Sequence, residues 1–346
     1  MRSVLTINAN ALANNLLQIK QKYPHAKVLA YLKQNAYSMS DELISSALCQ
    51  ADGFGLTDLN AAIKLRSIYA DKVIVDASLP PTKKHLEMAS TNNITAVIYS
   101  LEMIDLIVKH KIKGHYWLKV NTGFNRLGIP HKYLDESINK LASFSINQLV
   151  LMTHFMDSEV DSPILQNQMN LWEKLIKPYD LPVSHARSCT ILQHVSPMGD
   201  WLRPGLMLYG LMTAPDWDLQ LAIQLKAPIY QIRDVRAGEY IGYDHTYKFE
   251  KDTRIAITAI GYGDGFPLTL ADESRLALNG KLVPIVGKVS MDFIAIDIGD
   301  INANVGDYVE IIGPNARSLD GFKFAPHALI TYLQHRRLDV EFSHHV

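Results

Sequence analysis

Chemistry in this sequence starts at Lys33. It closes the apolar run Val28-Leu29-Ala30-Tyr31-Leu32 and is followed by Gln34-Asn35-Ala36-Tyr37. The run reads as a short buried strand. An ammonium at the end of such a strand is costly unless it is paired or reaches water. A lysine there either snorkels to the rim or works as an amine, with burial lowering its pKa so that the neutral nitrogen attacks a carbonyl to form a Schiff base. Other polar residues stand where further apolar runs stop: Asn121, His154 and Ser188, with Arg203 and Gly205 bracketing the start of the last run. Each has an ordinary reading beside the chemical one. His154 also suits a satisfied core histidine, and Arg203 a structural ion pair.

The elements that must position these residues follow from periodicity. From Val28 to about Gly210, short apolar runs alternate with longer amphipathic stretches. The runs are 28–33, 53–57, 73–77, 96–100, 116–121, 149–154, 183–186 and Leu206–Tyr209, and helix-like stretches such as 40–50, 59–68, 101–110, 133–144 and 164–177 lie between them. Eight strand-plus-helix units predict an N-terminal (β/α)8 TIM-type barrel, whose active site lies at the C-terminal strand ends. After about Lys226 the helical period fades into short β-like runs with Gly and Asp turns, which predict a mostly-β C-terminal domain. The expected division is 1–222 for the barrel and 223–346 for the β domain, with the N-terminal strand 1–8 free to join the latter. A last amphipathic helix is expected at about 325–334.

Composition removes several classes of function. The chain of 346 residues is 48% hydrophobic and 20% charged, with a formal net charge of −1. That balance argues against nucleic acid and anionic membrane as partners. Length points to two domains. The two cysteines, Cys49 and Cys189, lack metal-ligand spacing and read as free thiols of a reducing compartment, so no metal is expected. The N-terminus runs straight into a strand-like alternation without a signal peptide's apolar region, and the cytoplasm is the expected location.

The segment Lys33-Gln34-Asn35-Ala36-Tyr37 resembles the pyridoxal phosphate (PLP) attachment segment of the alanine racemase family. Trp117-Leu118-Lys119-Val120-Asn121-Thr122-Gly123-Phe124-Asn125-Arg126-Leu127-Gly128 is similar to the family's Leu-Lys-x-Asp-Thr-Gly-Met-x-Arg-Leu-Gly. Thr153-His154-Phe155 resembles a second barrel signature, and Arg203-Pro204-Gly205-Leu206-Met207-Leu208-Tyr209-Gly210 resembles Arg-Pro-Gly-Ile-x-Leu-Tyr-Gly. In the β half, Ile241-Gly242-Tyr243, Gly261-Tyr262-Gly263-Asp264-Gly265 and Ser290-Met291-Asp292 continue the likeness in order.

The resemblance implies an amino-acid racemase with two bases, Lys33 on one face of the substrate and Tyr243 of a partner chain on the other. It implies that Arg203 faces the pyridine nitrogen, that His154 lies beside the ring, and that Ser188, Gly205, Leu206 and Tyr37 hold the phosphate. Arg126 is implied to approach the cofactor's phenolic oxygen and the substrate carboxylate, and Lys119 is the lysine that is often carbamylated in the family. Tyr262 and Met291 are implied to contact the substrate from the β domain. A homodimer with shared sites, alanine as substrate and D-alanine for peptidoglycan are further implications.

The pattern also breaks. Ser38-Met39-Ser40 stands where the family has Gly-His-Gly, Asn121 replaces an aspartate, Phe124 replaces a methionine and Asp244 replaces a glycine. His327 replaces a tyrosine that binds the phosphate, and Arg187 precedes Ser188 where a small residue or Asn is usual. Arg187 is expected to compensate through a charge-assisted contact with the phosphate. These departures keep a racemase for another amino acid, such as serine or lysine, and a degenerate PLP-binding homologue as alternatives. A PLP-dependent decarboxylase is disfavoured by the lack of a Gly-Gly-Gly phosphate loop and of a catalytic cysteine in the β half. A non-catalytic single-barrel PLP-binding protein is disfavoured by the β domain itself.

Overall fold

The computed structural model describes residues 1–145, 149–157, 159, 161–195, 197–212, 214–268, 275–317 and 338–343. The chain divides into two compact units, one of residues 12–220 and one of residues 1–11 with 221–346.

Alternation along short strands builds the first unit. Lys27–Tyr31, Gly53–Leu56, Val73–Asp76, Thr95–Ile98, Tyr116–Asn121, Leu149–Met152 and Val183–Ser184 pair in parallel, each with the next. Trp201–Leu202 returns to pair in parallel with the first strand. A parallel bridge between Arg187 and Arg203 closes most of the remaining gap. The result is a nearly closed eight-strand parallel barrel. Residues two apart on a strand share a face, so Leu29 with Tyr31 and Val150 with Met152 point inward, where Val75, Val97, Trp117 and Trp201 meet them. Trp117 and Trp201 pack at 5.6 Å between centroids. This interior is a packed plug, which leaves the strand ends to carry polar groups.

The helices begin where their sequences supply caps. Asp58 Oδ1 accepts from Ala61 N at 2.8 Å ahead of Leu59–Ile68. Ser100 Oγ accepts from Met103 N ahead of Leu101–His110, which Lys111 ends in a left-handed conformation. Ser162 caps Pro163–Ile176, with Pro163 at the first turn, where its missing N–H has no helical partner to lose.

One expected strand is corrected. Leu206–Tyr209 is a 3-10 turn, and the eighth strand is Trp201–Leu202. A run of four apolar residues that is almost wholly buried has no polar face, so its period cannot distinguish strand from helical turn. The correction moves Arg203 from a strand's start to just past a strand's end, the position Lys33 holds two residues after Tyr31.

In the second unit, Ser3–Asn8 lies between Ile223–Val235, antiparallel, and Leu338–Ser343, parallel. Ile223–Val235 is long and carries a register shift between Ile229 and Gln231. Its first half pairs with Tyr308–Ile312 and its second with Thr253–Thr258, which in turn pairs with Ile294–Asp297. Val235, Phe249, Ile255, Val286 and Ala295 form a core beneath that second half. His327 and the expected helix at 325–334 lie outside the described residues.

Candidate active site

Lys33 begins a turn that its sequence does not announce. Gln34, Asn35, Ala36 and Tyr37 have φ of 53°, 54°, 51° and 57°, a left-handed helical turn made without glycine. Each such residue costs about 1–2 kcal/mol. Hydrogen bonds offset part of this: Ala36 N donates to Leu32 O, Ser40 N to Asn35 O, and Asp41 N to Asn35 Oδ1. The reversed hand places Tyr37 against Tyr209, edge to face at 5.4 Å. It also carries the Tyr37 hydroxyl to Gly205, where an added Cβ would lie 3.1 Å from Oη. Glycine therefore leaves that backbone open to close approach.

Beside Gly205, Ser188 Oγ accepts from the amides of Gly205 at 2.9 Å and Met207 at 3.5 Å. Arg203, 4% exposed, is pinned by its terminal nitrogens. Nη1 donates to Ser184 O at 2.9 Å and Nη2 to Thr153 O at 2.8 Å. Nε is left as its unengaged donor among the described residues. Arg187 is tied in a similar way. Nη2 donates to the carbonyls of Met156 and Asp157, Nη1 contacts Cys189 Sγ at 3.2 Å, and Nε is buried without a partner.

These residues line one cavity of about 380 Å³. Lys33, Tyr37, Lys119, Arg126 and His154 open onto it from one set of strand ends, and Arg187, Ser188, Arg203, Gly205 and Leu206 from another. Among the described residues, five cationic side chains face it and no carboxylate does. Electrostatics follow from that imbalance. Burial, then Arg203, Arg126 and Arg187, bring Lys33 down to about 8. Burial, Arg203, Arg126 and Lys33 bring Lys119 down to about 8 as well. Burial, then Arg203, Lys119, Arg187 and Lys33, lower His154 to about 2, so its imidazole is neutral.

Sequence reasoning missed part of the lining. Thr57 and Ser78 also face the cavity; Thr57 directly follows Gly53–Leu56, and Ser78 stands two residues past the end of Val73–Asp76. The rule that strand ends carry the site could have found both. Tyr31, whose ring centroid lies 5.0 Å from Lys33 Nζ, could have been found as the residue two before it on the same face. Cys189, in the short helix Ser188–Leu192, and Met212, in a bend, carried no signal.

Tyr243, Tyr262 and Met291 lie in the second unit. Tyr243 is 65% exposed on a 3-10 turn that follows Gly242, and Asp244 beside it pairs with Lys288. Tyr262 N donates to Ser290 O and Gly263 N to Met291 O. Gly261 makes this approach feasible, because a Cβ there would fall 2.4 Å from Met291 O. Tyr262 and Met291 are 41% and 55% exposed.

A parallel barrel with a lysine amine and clustered cations at its strand ends, joined to a β domain, defines a class of enzyme that holds an anionic group beside a nucleophilic nitrogen. Comparison with known proteins narrows the class. Residues 7–213 match the family model for the N-terminal domain of alanine racemase, and residues 222–332 match that for its C-terminal domain. The chain belongs to the alanine racemase family. It is 32% identical to alanine racemase of Aeromonas hydrophila subsp. hydrophila over 348 residues, covering 96% of this chain and 98% of the relative. The structure of alanine racemase from Acinetobacter baumannii superimposes with a TM-score of 0.91 at 29% identity, covering 99% of this chain and 100% of that one. Alanine racemase from Bartonella henselae, a crystal structure described with covalently bound pyridoxal phosphate, superimposes with a TM-score of 0.88 at 25% identity, covering 99% and 100%.

Proposed function

We propose that this chain is a PLP-dependent racemase that interconverts L-alanine and D-alanine, supplying D-alanine for peptidoglycan. The observation that carries the reading is the cavity itself, with a lysine of lowered basicity among five cationic side chains and, among the described residues, no carboxylate. Such a site needs anionic groups, and a phosphate, a phenolic oxygen and a substrate carboxylate are anionic.

The residues present fit the cofactor. The Ser188 hydroxyl, the Leu206 amide and the Tyr37 hydroxyl would offer donors to the phosphate around a backbone left open by glycine, and the Gly205 amide, which bonds Ser188 Oγ at 2.9 Å, would turn from it to the phosphate. Arg187 adds its unpartnered Nε to the phosphate, in place of the tyrosine that His327 replaces. Arg203 offers its unengaged Nε to the pyridine nitrogen and keeps its own proton. When bound, the cofactor's ring withdraws electrons from the substrate's α-carbon.

This chain's residues do the rest. Lys33 Nζ would hold the cofactor, and its free amine would take or return the α-proton on one face. An amine brought down to about 8 is partly neutral near physiological pH, which that role requires. Tyr243 Oη of a partner chain serves the other face. Arg126 orients the substrate carboxylate, and Met291 and Tyr262 of the partner chain close the site. Lys119, equally lowered in basicity, has the neutral amine that carbamylation needs. The resulting negative charge turns its repulsion of Arg126 into attraction. The working unit in this reading is a homodimer with shared sites, and the exposed Tyr243, Tyr262 and Met291 support it. Two free thiols suit a cytoplasmic setting.

The test is direct. Purified protein with PLP should form D-alanine from L-alanine, and borohydride should fix PLP to Lys33. Faster turnover of L-serine or L-lysine in the same assay would reassign the substrate, and label on another lysine would remove Lys33 from its role.

A further inference from the structure

Arg126 is the least secured of the cavity's cations. Lys33 and Lys119 are both depressed by its charge, so it is repelled from two sides. Among the described residues its side chain has neither a hydrogen bond nor an ion pair. A long, charged side chain in that position gains by swinging into water. What holds it is a ring: the guanidinium carbon lies 4.4 Å from the centroid of Phe124. A guanidinium over an aromatic face is attracted by the ring's quadrupole and stacks on it as a plane.

The ring is itself fixed. Phe124 meets His154 edge to face at 5.1 Å and 69°. Its loop is wound tightly around Asn121, whose Oδ1 accepts from Gly123 N at 3.0 Å and Asn125 N at 3.1 Å. Thr122 bonds Thr153 at 2.8 Å, and Thr153 bonds Val120 O at 2.9 Å, tying the loop to the strand end that carries His154. His154 stays neutral beside this stack, so the imidazole adds no further cation against Arg126. One ring thus spans two side chains that line the cavity, Arg126 from this loop and His154 from the neighbouring strand end.

We propose that Phe124 is the positioning residue for Arg126: its face holds the guanidinium over the cavity mouth, and its contact with His154 sets where that face stands. Phe124 occupies a position where the family pattern has methionine, which offers no aromatic face. This chain therefore orients the arginine with a ring, independently of any modification of Lys119. The inference rests on the reading that Arg126 meets an anionic ligand, but the hold itself is a property of the protein without cofactor.

Three substitutions test it: Phe124→Leu, Phe124→Met and Phe124→Tyr. In the cofactor-free protein, phenylglyoxal modification at Arg126, followed by mass spectrometry, should run about threefold or more faster in the Leu and Met variants and stay at the parent rate in the Tyr variant. In the PLP-loaded enzyme, the Leu and Met variants should raise KM for L-alanine by roughly three- to tenfold with kcat nearly unchanged, because a carboxylate contact made equally in ground and transition states is lost. Tyr should restore KM. Parent-like labelling and KM in both the Leu and Met variants would overturn the proposal. So would equal impairment in all three, which would make Phe124 a packing residue only. Labelling needs no turnover, so a parent protein that fails to racemise alanine would refute the proposed function and leave this test standing.

Discussion

At the scale of single residues, the cavity works by crowding like charges. Lys33 has an ordinary value of 10.5 and is brought to about 8 chiefly by burial, with Arg203 the largest of the cationic contributions. A neutral amine is the reactive form, so its fraction grows as pH rises through that value. Covalent capture of added PLP by the cofactor-free protein should therefore accelerate with pH, with a midpoint near 8. Arg203→Gln removes a cation, so Lys33 should move up toward its ordinary value and the midpoint should rise with it. The rate of growth of the visible absorbance, followed from about pH 6 to about pH 10, reads that midpoint separately from any loss of affinity. An unmoved midpoint would mean that burial alone sets the amine.

At the scale of elements, the left-handed turn after Lys33 is the costliest local feature near the cavity. Five consecutive non-glycine residues, Gln34 through Ser38, at φ above 50° carry strain on the order of 5–10 kcal/mol, which the surrounding packing must over-determine. Gln34 is the cleanest place to measure it, being exposed at φ 53° and ψ 54°. Gln34→Gly should raise stability by about 0.5–1 kcal/mol, since relief of the positive φ outweighs the added freedom of the unfolded chain. Gln34→Val should lower it by about 1 kcal/mol or more, because a β-branched residue is poorly accommodated there. Thermal midpoints of the two variants against the parent check both signs. If both changes left the midpoint in place, Gln34 would not be in the left-handed region in solution.

At the scale of the whole molecule, the proposed homodimer makes its own prediction. If Lys33 of one chain works with Tyr243 of the other, Lys33→Ala and Tyr243→Ala proteins should each be nearly inactive. In mixed dimers one site holds both bases and the other neither, so random equal mixing should restore roughly a quarter of the sites. Mixed dimers confirmed by mass spectrometry but without activity would place both bases in one chain and end the shared-site proposal.

Legibility divided along the range of the interactions involved. Strand ends, helix spans such as Leu59–Ile68 and Leu101–His110, and the change of texture near residue 226 were open to the sequence alone, because periodicity and caps are local properties. So was the set of polar residues at strand ends, because ionisable groups beside buried runs are costly and hence conspicuous. Tertiary structure alone decided the rest. Leu206–Tyr209 coils because four buried apolar residues have no period to read. Ser3–Asn8 joins a sheet with Ile223–Val235, hundreds of residues distant in the chain. Gln34 through Ser38 reverse their hand without a glycine to signal it, and the hydrogen bonds at Leu32, Asn35 and Asp41 and the ring of Tyr209 that accompany the turn come from residues the local pattern does not announce. The crowding that lowers Lys33 exists only once loops far apart in sequence bring Arg126, Arg187 and Arg203 around one amine, since Coulomb energies depend on distances through space.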